Sequence, residues 1–193
     1  MKRYLYSDET LFRNRDLFEI DYPPEDFNYR ESQLKDIAFA LQPGLHGSRP
    51  LNMALRGLPG TGKTTAVRRI FSEVEETTRR LVPVYVNCQT EHTKFAVFAK
   101  IYGKLHGHQP PPTGTPVRKL IYDVGKTLSE KGIVLSVCLD DANYLLVNKA
   151  LNEILYTILR LYEEFPNART GVLLPMSSMD VQLPQELDPC VLS

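Results

Sequence analysis

The sequence predicts a three-layer α/β/α fold in which a parallel β-sheet is sandwiched by helices. Two observations support this prediction. Four short apolar runs, each suited to a buried strand, alternate along the chain with amphipathic helical patterns. A glycine-rich segment of the P-loop type stands between the first run and the helical pattern that follows it. Because strands that alternate with helices are joined by crossovers, the sheet is expected to be parallel and covered on both faces.

The chain is predicted to begin with an arm and to continue as one core. Residues 1–30 are rich in charge, aromatic rings and proline, which predicts an extended arm that packs on the core of residues 31–193. A short helix follows, and Pro43 and Gly44 are expected to end it. The apolar runs predict strands at residues 51–56, 82–87, 133–139 and 171–176. Helical spacing predicts the intervening helices at residues 66–74, 95–105, 120–128 and 151–162.

Composition places the chain among soluble globular proteins. Of its 193 residues 42% are hydrophobic, and 23 basic and 23 acidic residues give a formal net charge of zero. A neutral chain lacks an overall basic field, so any contact with DNA is expected to be local. No apolar run approaches the roughly 18 residues that a membrane span needs. The three cysteines are far apart and Cys138 lies in an apolar run, so we expect no disulfide framework and a cytoplasmic location.

The strongest chemical signal is residues 57–64, GLPGTGKT, which match the P-loop pattern G-x-x-x-x-G-K-[ST]. Its glycines let successive backbone N–H groups turn around an anion, and the N-terminus of the next helix adds positive potential. Lys63 is predicted to reach the outer phosphates of a nucleotide, and the Thr64 hydroxyl to bind Mg²⁺. The predicted nucleotide-binding residues of this segment are Gly57, Pro59, Gly60, Thr61, Gly62, Lys63, Thr64 and Thr65.

A second signal is the acidic pair at the end of the third apolar run. Asp140 and Asp141 follow residues 133–139 directly, which is a Walker B arrangement. Asp140 is predicted to hold the Mg²⁺ ion through water, and Asp141 to polarise the water that attacks the nucleotide. Alone, two acids after a strand are more often a solvated strand end, so the P-loop gives this pair its weight.

Other conspicuous residues favour ordinary structural interpretations. His106 and His108 flank a glycine but have no further ligand at metal-binding spacing, so loop positions are expected and no structural metal is assigned. Three tyrosines in or near helical patterns, Tyr144, Tyr156 and Tyr162, are predicted to pack in the core.

Several segments together carry a family resemblance. They are LFRNRDLFEIDYPPEDFNYRE at 11–31, RPLNMALRGLPGTGKTT at 49–65, VNCQ at 86–89 with Thr93, LDDANYL at 139–145, Leu155-Tyr156 and Leu187-Asp188-Pro189. On these residues the chain resembles the archaeal replication initiators of the origin-recognition and cell-division-cycle-six family, which are AAA+ ATPases. The resemblance covers essentially the whole chain.

The resemblance implies an AAA+ core that binds ATP or ADP with Mg²⁺. It implies that Asn28, Tyr29 and Arg30 lie near the adenine, and that residues 90–118 include a helical insertion that touches DNA. Implied partners are origin double-stranded DNA, the replicative helicase and copies of the same protein, in the nucleoid of the cytoplasm. Five basic residues then have two open interpretations, a DNA-facing patch or solvated helix faces: Lys94, Lys100, Lys104, Arg118 and Lys119.

The chain departs from the family pattern in four respects. The acidic pair is Asp-Asp and not Asp-Glu, so hydrolysis is expected to be slow. Ser178 is the candidate sensor of the γ-phosphate, where the family usually has asparagine. Cys190 stands in place of an arginine that acts at a neighbour's nucleotide. The chain stops at Ser193, before the helical lid and the winged-helix DNA-binding domain of the family, so a fragment or shortened relative is expected.

Two functional hypotheses follow from the sequence. In the first, the protein is a nucleotide-controlled switch with at most weak ATPase activity, because the Asp-Asp pair, the uncertain sensor and Cys190 all disfavour fast turnover. In the second, it is an active AAA+ motor of the clamp-loader or helicase-loader kind. A small-molecule kinase ranks last, since no acceptor pocket or lid arginine is recognisable.

Overall fold

In a computed structural model, the structure describes residues 31–111 and 114–177, which form four strands and seven helices. The strands are β1 (Met53–Arg56), β2 (Leu81–Asn87), β3 (Val134–Asp140) and β4 (Arg169–Met176). The helices are α1 (Glu31–Leu45), α2 (Lys63–Thr77), α3 (Lys94–His106), α4 (Val117–Lys131), α5 (Asn143–Val147), α6 (Leu151–Leu159) and α7 (Leu161–Glu164). No helix within the described ranges is long and apolar enough to cross a membrane.

The four strands form one parallel sheet in the order β1-β4-β3-β2. The inner strands are buried along nearly their whole length, as expected when crossover helices cover both faces. All four strands therefore end at the same edge of the sheet, and the segments that follow them meet there. Asn87 pairs in register with Asp140, which places the ends of β2 and β3 side by side at this edge.

Two hydrophobic clusters, one on each face of the sheet, confirm the predicted three-layer arrangement. The larger cluster packs α3, α4 and α6 against one face, with Phe98, Leu128 and Ile154 fully buried. The smaller packs α1 and α2 against the other face, with Ile37 and Val67 at its centre. The alternation of apolar runs and helical patterns thus gave the correct layers.

Two predicted helix boundaries were wrong. Helix α1 continues past Pro43 to Leu45, because a proline in the last turn removes only its own N–H bond to the preceding turn. Gly44 is buried there, where an added Cβ would lie 2.9 Å from the Leu81 side chain. The predicted helix at 151–162 is interrupted at Arg160, which separates α6 from α7.

The predicted core positions of the three tyrosines were also wrong. Tyr144, Tyr156 and Tyr162 are each 43% exposed. In α6 the buried stripe consists of Leu151, Ile154, Leu155 and Ile158, which leaves Tyr156 on the outer side. In α5 the buried side chain is Leu145, and its neighbour Tyr144 points away. An aromatic ring alone does not place a side chain in the core, because the helical phase decides which side chain faces the sheet.

Candidate functional site

The glycine-rich loop joins the end of β1 to the beginning of α2, as the sequence predicted. Gly60 and Gly62 have φ angles of 72° and 75°, in the left-handed region that favours glycine. Gly62 is the N-cap of α2, and no side chain caps that helix. The first-turn N–H groups of a helix have no partner within the helix, so an uncapped N-terminus with a left-handed glycine before it suits an anion such as phosphate.

Lys63 lies within this loop. Its Nζ donates hydrogen bonds to the carbonyl oxygens of Gly57 at 2.8 Å and Leu58 at 2.9 Å, and lies 3.4 Å from Thr61 Oγ1. The ammonium is therefore next to the loop that would surround a phosphate. These carbonyl contacts are the ones that phosphate oxygens would replace, since a lysine donates three hydrogens without fixed direction.

Thr64 and Asp140 meet beside the loop although 76 positions separate them. The Thr64 hydroxyl donates to Asp140 Oδ2 at 2.7 Å, and Asp140 is only 3% exposed. A hydroxyl and a carboxylate at this distance are oxygen ligands of the kind that Mg²⁺ takes together with phosphate oxygens. The residues present therefore fit a nucleotide with its metal ion.

The Asp140 carboxylate has two further donors. The Tyr85 hydroxyl donates to Oδ2 at 2.7 Å, and the backbone N–H of Asp141 donates to Oδ1 at 3.1 Å. Burial raises the pKa of the Tyr85 phenol, and the hydrogen bond to Asp140 raises it further, so the hydroxyl keeps its proton and remains a donor. The Arg68 guanidinium lies over the Tyr85 ring at 4.6 Å from its centroid.

Asp141 has a different environment from its neighbour. Its φ angle is 53°, a left-handed conformation that aspartate tolerates better than most residues. Gln89 Nε2 donates to its Oδ2 at 2.8 Å, and Ser177 Oγ donates to its Oδ1 at 2.9 Å. Both carboxylate oxygens are thus held by side chains that follow the neighbouring strands β2 and β4. Sequence reasoning gave these two residues no role, although both follow strands whose ends must converge.

A cavity of about 680 Å³ opens beside the glycine-rich loop. The loop, β1 and one face of α1 line it, including Gln33, Asp36 and Phe39. Phe39 is 65% exposed, on the side of α1 opposite its buried residues. None of these three was predicted as a site residue, but an aromatic ring outside the apolar stripe of a helix is a signal that the sequence contained.

Some predicted site residues lie outside the described ranges. They are the three residues expected near the adenine, the candidate sensor and the cysteine in place of an arginine: Asn28, Tyr29, Arg30, Ser178 and Cys190. Of the other loop positions predicted to bind nucleotide, Pro59 is exposed and Thr65 is half-buried in the first turn of α2.

Three of the five basic residues considered for DNA contact form ion pairs. Lys94 pairs with Glu153 at 3.0 Å, Lys100 with Glu91 at 3.3 Å, and Lys104 with Glu75 at 2.6 Å. The remaining two, Arg118 and Lys119, are exposed in the first turn of α4. The loop position predicted for His106 was wrong, because it is the last residue of α3. Its ring nitrogens lie within hydrogen-bonding distance of Tyr102 O and Thr127 Oγ1, which is a structural role.

We expect the Cys88 thiol, next to the site, to resist alkylation in the folded protein. Cys88 is fully buried, and its N–H donates to Asp140 O at 3.0 Å. Burial first, and then the nearby carboxylates, raise the pKa of the thiol to about 12, so almost no thiolate is present at pH 8. Because the unfolded thiol loses its proton near pH 9 and the folded one only near 12, the free energy of unfolding is unaffected by this thiol below pH 9 and falls as the pH rises from there toward 12.

Iodoacetamide at pH 8, followed by peptide mass spectrometry, measures this reactivity. Cys88 and the buried Cys138 should be modified only after urea unfolds the chain. Modification of Cys88 in buffer at the rate of a small-molecule thiol would contradict the buried placement.

Known proteins are similar to this chain in both sequence and fold. The family model for the AAA domain matches residues 45–176. The ORC1-type DNA replication protein 2 of Methanothermobacter thermautotrophicus is 44% identical over 176 residues, which make up 91% of this chain and 46% of that protein. The chain therefore spans about half the length of the curated relatives it matches.

Two solved structures from Aeropyrum pernix have the same fold. The ORC1 protein in complex with DNA has a TM-score of 0.77 and 28% identity, over 93% of this chain and 46% of that one. The ORC2 protein in its ADPNP-ADP complexes has a TM-score of 0.70 and 25% identity, over 91% of this chain and 50% of that one.

Proposed function

This chain belongs to the AAA domain family and is related to the ORC1-type DNA replication proteins, and on that premise we propose that it is a nucleotide-controlled switch in the initiation of DNA replication. The family and the AAA+ fold expected from the sequence are confirmed by these similarities. The switch is proposed to bind ATP or ADP with Mg²⁺ and to hydrolyse ATP slowly at most.

The contact between Thr64 and Asp140 carries this proposal. It joins the first turn of α2, directly after the phosphate-binding loop, to the end of β3 at 2.7 Å. In the proposed complex the loop N–H groups and Lys63 hold the phosphates, while Thr64 and Asp140 hold Mg²⁺. The metal ion would neutralise charge on the phosphate oxygens. The ADPNP and ADP bound by the Aeropyrum ORC2 protein support the same ligand class here.

Slow hydrolysis is proposed from the surroundings of Asp141. A carboxylate that polarises water needs an oxygen available to accept the water's proton. Here Gln89 and Ser177 each donate to one oxygen, at 2.8 and 2.9 Å. Each oxygen can still accept one more hydrogen bond, but these two donors fix the direction from which a water must approach. The alternative, an active motor, requires a partner that brings the nucleotide and its water into that direction.

DNA is the proposed macromolecular partner. The Aeropyrum ORC1 protein was solved in complex with DNA, and this chain is 28% identical to it. Within the residues considered from the sequence, Arg118 and Lys119 are the better candidates for phosphate contact, since Lys94, Lys100 and Lys104 already pair with carboxylates. A helicase, further copies of the chain and a place in the cytoplasmic nucleoid are proposed from the relationship alone.

A nucleotide-content and turnover assay tests the switch. The purified chain is denatured, the released small molecules are compared with ATP and ADP standards, and hydrolysis is then followed with and without double-stranded DNA. We expect bound nucleotide and a turnover number well below about 1 s⁻¹, the low end for ordinary enzymes. Faster turnover with DNA present would favour the motor. No released nucleotide, and no binding when Mg-ATP is added, would contradict the proposed nucleotide function.

A further inference from the structure

Tyr85 is a residue of β2 whose hydroxyl reaches Asp140 at the proposed metal site. It lies on β2, where it pairs in register with Cys138, and its neighbour two positions on, Asn87, pairs with Asp140. Residues two apart share a face of a strand, so Tyr85 and Asp140 point to the same side of the sheet. The phenol extends along that face until its hydroxyl is 2.7 Å from Asp140 Oδ2.

This hydrogen bond completes the fixation of the Asp140 carboxylate. Oδ2 accepts from two hydroxyls, those of Thr64 and Tyr85, each at 2.7 Å. Oδ1 accepts from the Asp141 N–H at 3.1 Å. Three donors on two oxygens define one orientation of the carboxylate plane. Without the phenol, each oxygen would keep a single donor, and the plane would be held less tightly against rotation about the Cβ–Cγ bond.

The ring of Tyr85 is itself held in place by α2. Arg68 follows Thr64 by four positions, so the two side chains lie on one face of the helix. Thr64 contacts Asp140, and the Arg68 guanidinium covers the Tyr85 ring at 4.6 Å. Three contacts thus link side chains of α2 and β2 to the Asp140 carboxylate on β3.

We propose that Tyr85 is a positioning residue that orients the Asp140 carboxylate and so sets the affinity of the nucleotide site for Mg²⁺. The proposal rests on the proposed nucleotide function. Replacing a group that orients a metal ligand typically costs about 10–100-fold in metal affinity or activity. The hydrogen bond of Tyr85 goes to Asp140, whereas those of Lys63 go to the glycine-rich loop. Loss of the Tyr85 hydroxyl should therefore raise the Mg²⁺ concentration that nucleotide binding needs and leave nucleotide binding without metal unchanged.

The test replaces the hydroxyl alone, as Tyr85→Phe, in the full 193-residue chain. Binding of a fluorescent ADP analogue is measured in EDTA and across a titration with MgCl₂. We expect the Mg²⁺ concentration that gives half of the maximal increase in analogue binding to rise roughly tenfold. Affinity in EDTA should stay within about twofold of the parent chain. Thermal unfolding without nucleotide and Mg²⁺ checks that the variant is folded.

Tyr156→Phe is the matched control. Tyr156 also has an arginine over its ring, Arg160 at 4.8 Å, but it lies on α6, away from Asp140. This variant should show the Mg²⁺ dependence of the parent chain. An Asp140→Asn background supplies a double-mutant cycle, in which Tyr85→Phe should have no further effect on Mg²⁺ dependence.

The outcomes separate the two proposals. A parent chain that binds the analogue with Mg²⁺ dependence, and a Tyr85→Phe chain with the same dependence, overturn the role of Tyr85 alone. A parent chain that does not bind the analogue overturns the nucleotide function and this role with it. If Tyr85→Phe does not fold, Arg68→Lys replaces it, because losing the guanidinium over the ring should shift the Mg²⁺ requirement in the same direction. No shift in that variant would then count against the proposal.

Discussion

Replacing Lys63 with alanine is expected to lower the affinity of the chain for ADP by about ten- to a hundredfold. A charged hydrogen bond to a phosphate contributes about 1.5–3 kcal/mol, and a factor of ten in affinity corresponds to about 1.4 kcal/mol. Lys63 Nζ lies within the loop, at 2.8 Å from Gly57 O, where it can exchange carbonyl contacts for phosphate contacts. Isothermal titration calorimetry with Mg-ADP measures the change.

The control for this substitution is Lys126→Ala. Lys126 is an exposed lysine of α4 whose ion pair is Glu130, at 3.9 Å on the same helix. The control removes one positive charge but no contact with the glycine-rich loop, so the affinity for ADP should be unchanged. A Lys63→Ala chain that binds ADP within threefold of the parent would show that the ammonium does not hold the phosphates.

The second large effect concerns stability. Gly125→Ala in α4 is expected to lower the free energy of unfolding by about 1–3 kcal/mol, the usual cost of overpacking a core. A Cβ at Gly125 would lie 2.2 Å from Phe165 Cδ2, and Phe165 is itself nearly buried at the end of α7. Neither the ring nor the helix can yield without disturbing the larger hydrophobic cluster. Urea unfolding followed by circular dichroism measures the change.

Gly103→Ala supplies the comparison, since it makes the same substitution in the interior of α3. Its Cβ would meet the end of the Gln109 side chain at 3.0 Å, and a flexible side chain on the surface can move away. Alanine also has the better helix propensity, so this variant should be neutral or up to about 1 kcal/mol more stable. Equal effects of the two substitutions would contradict the packing of Phe165 on Gly125.

The two aspartates at the end of β3 are proposed to have different roles, and their surroundings differ accordingly. Asp140 is buried and accepts from two hydroxyls, which favours a fixed carboxylate beside a metal ion. Asp141 is half-buried, and the exposed Gln89 and the half-buried Ser177 hold it. The sequence predicted different roles for the two aspartates, but it could not predict which side chains hold each carboxylate.

The glycine-rich loop was predictable because its chemistry is local. Residues 57–64 are consecutive, and the left-handed conformations of Gly60 and Gly62 belong to the residue type. The meeting of Thr64 with Asp140 was also predictable, because parallel strands end at one edge of the sheet and the loop follows one of them. The layers were predictable because the hydrophobic period distinguishes buried strands from amphipathic helices.

By itself, the sequence determined the parallel α/β fold, the glycine-rich loop and the acidic pair, because each depends on residue type and short spacing. Only the tertiary structure decided the partners of that pair. Tyr85, Gln89 and Ser177 lie 55, 52 and 36 positions from the aspartates that they contact. Crossover helices of variable length separate them, so no fixed spacing records these contacts. Strand order and the direction of each side chain bring them together, and both follow from how the helices pack on the sheet.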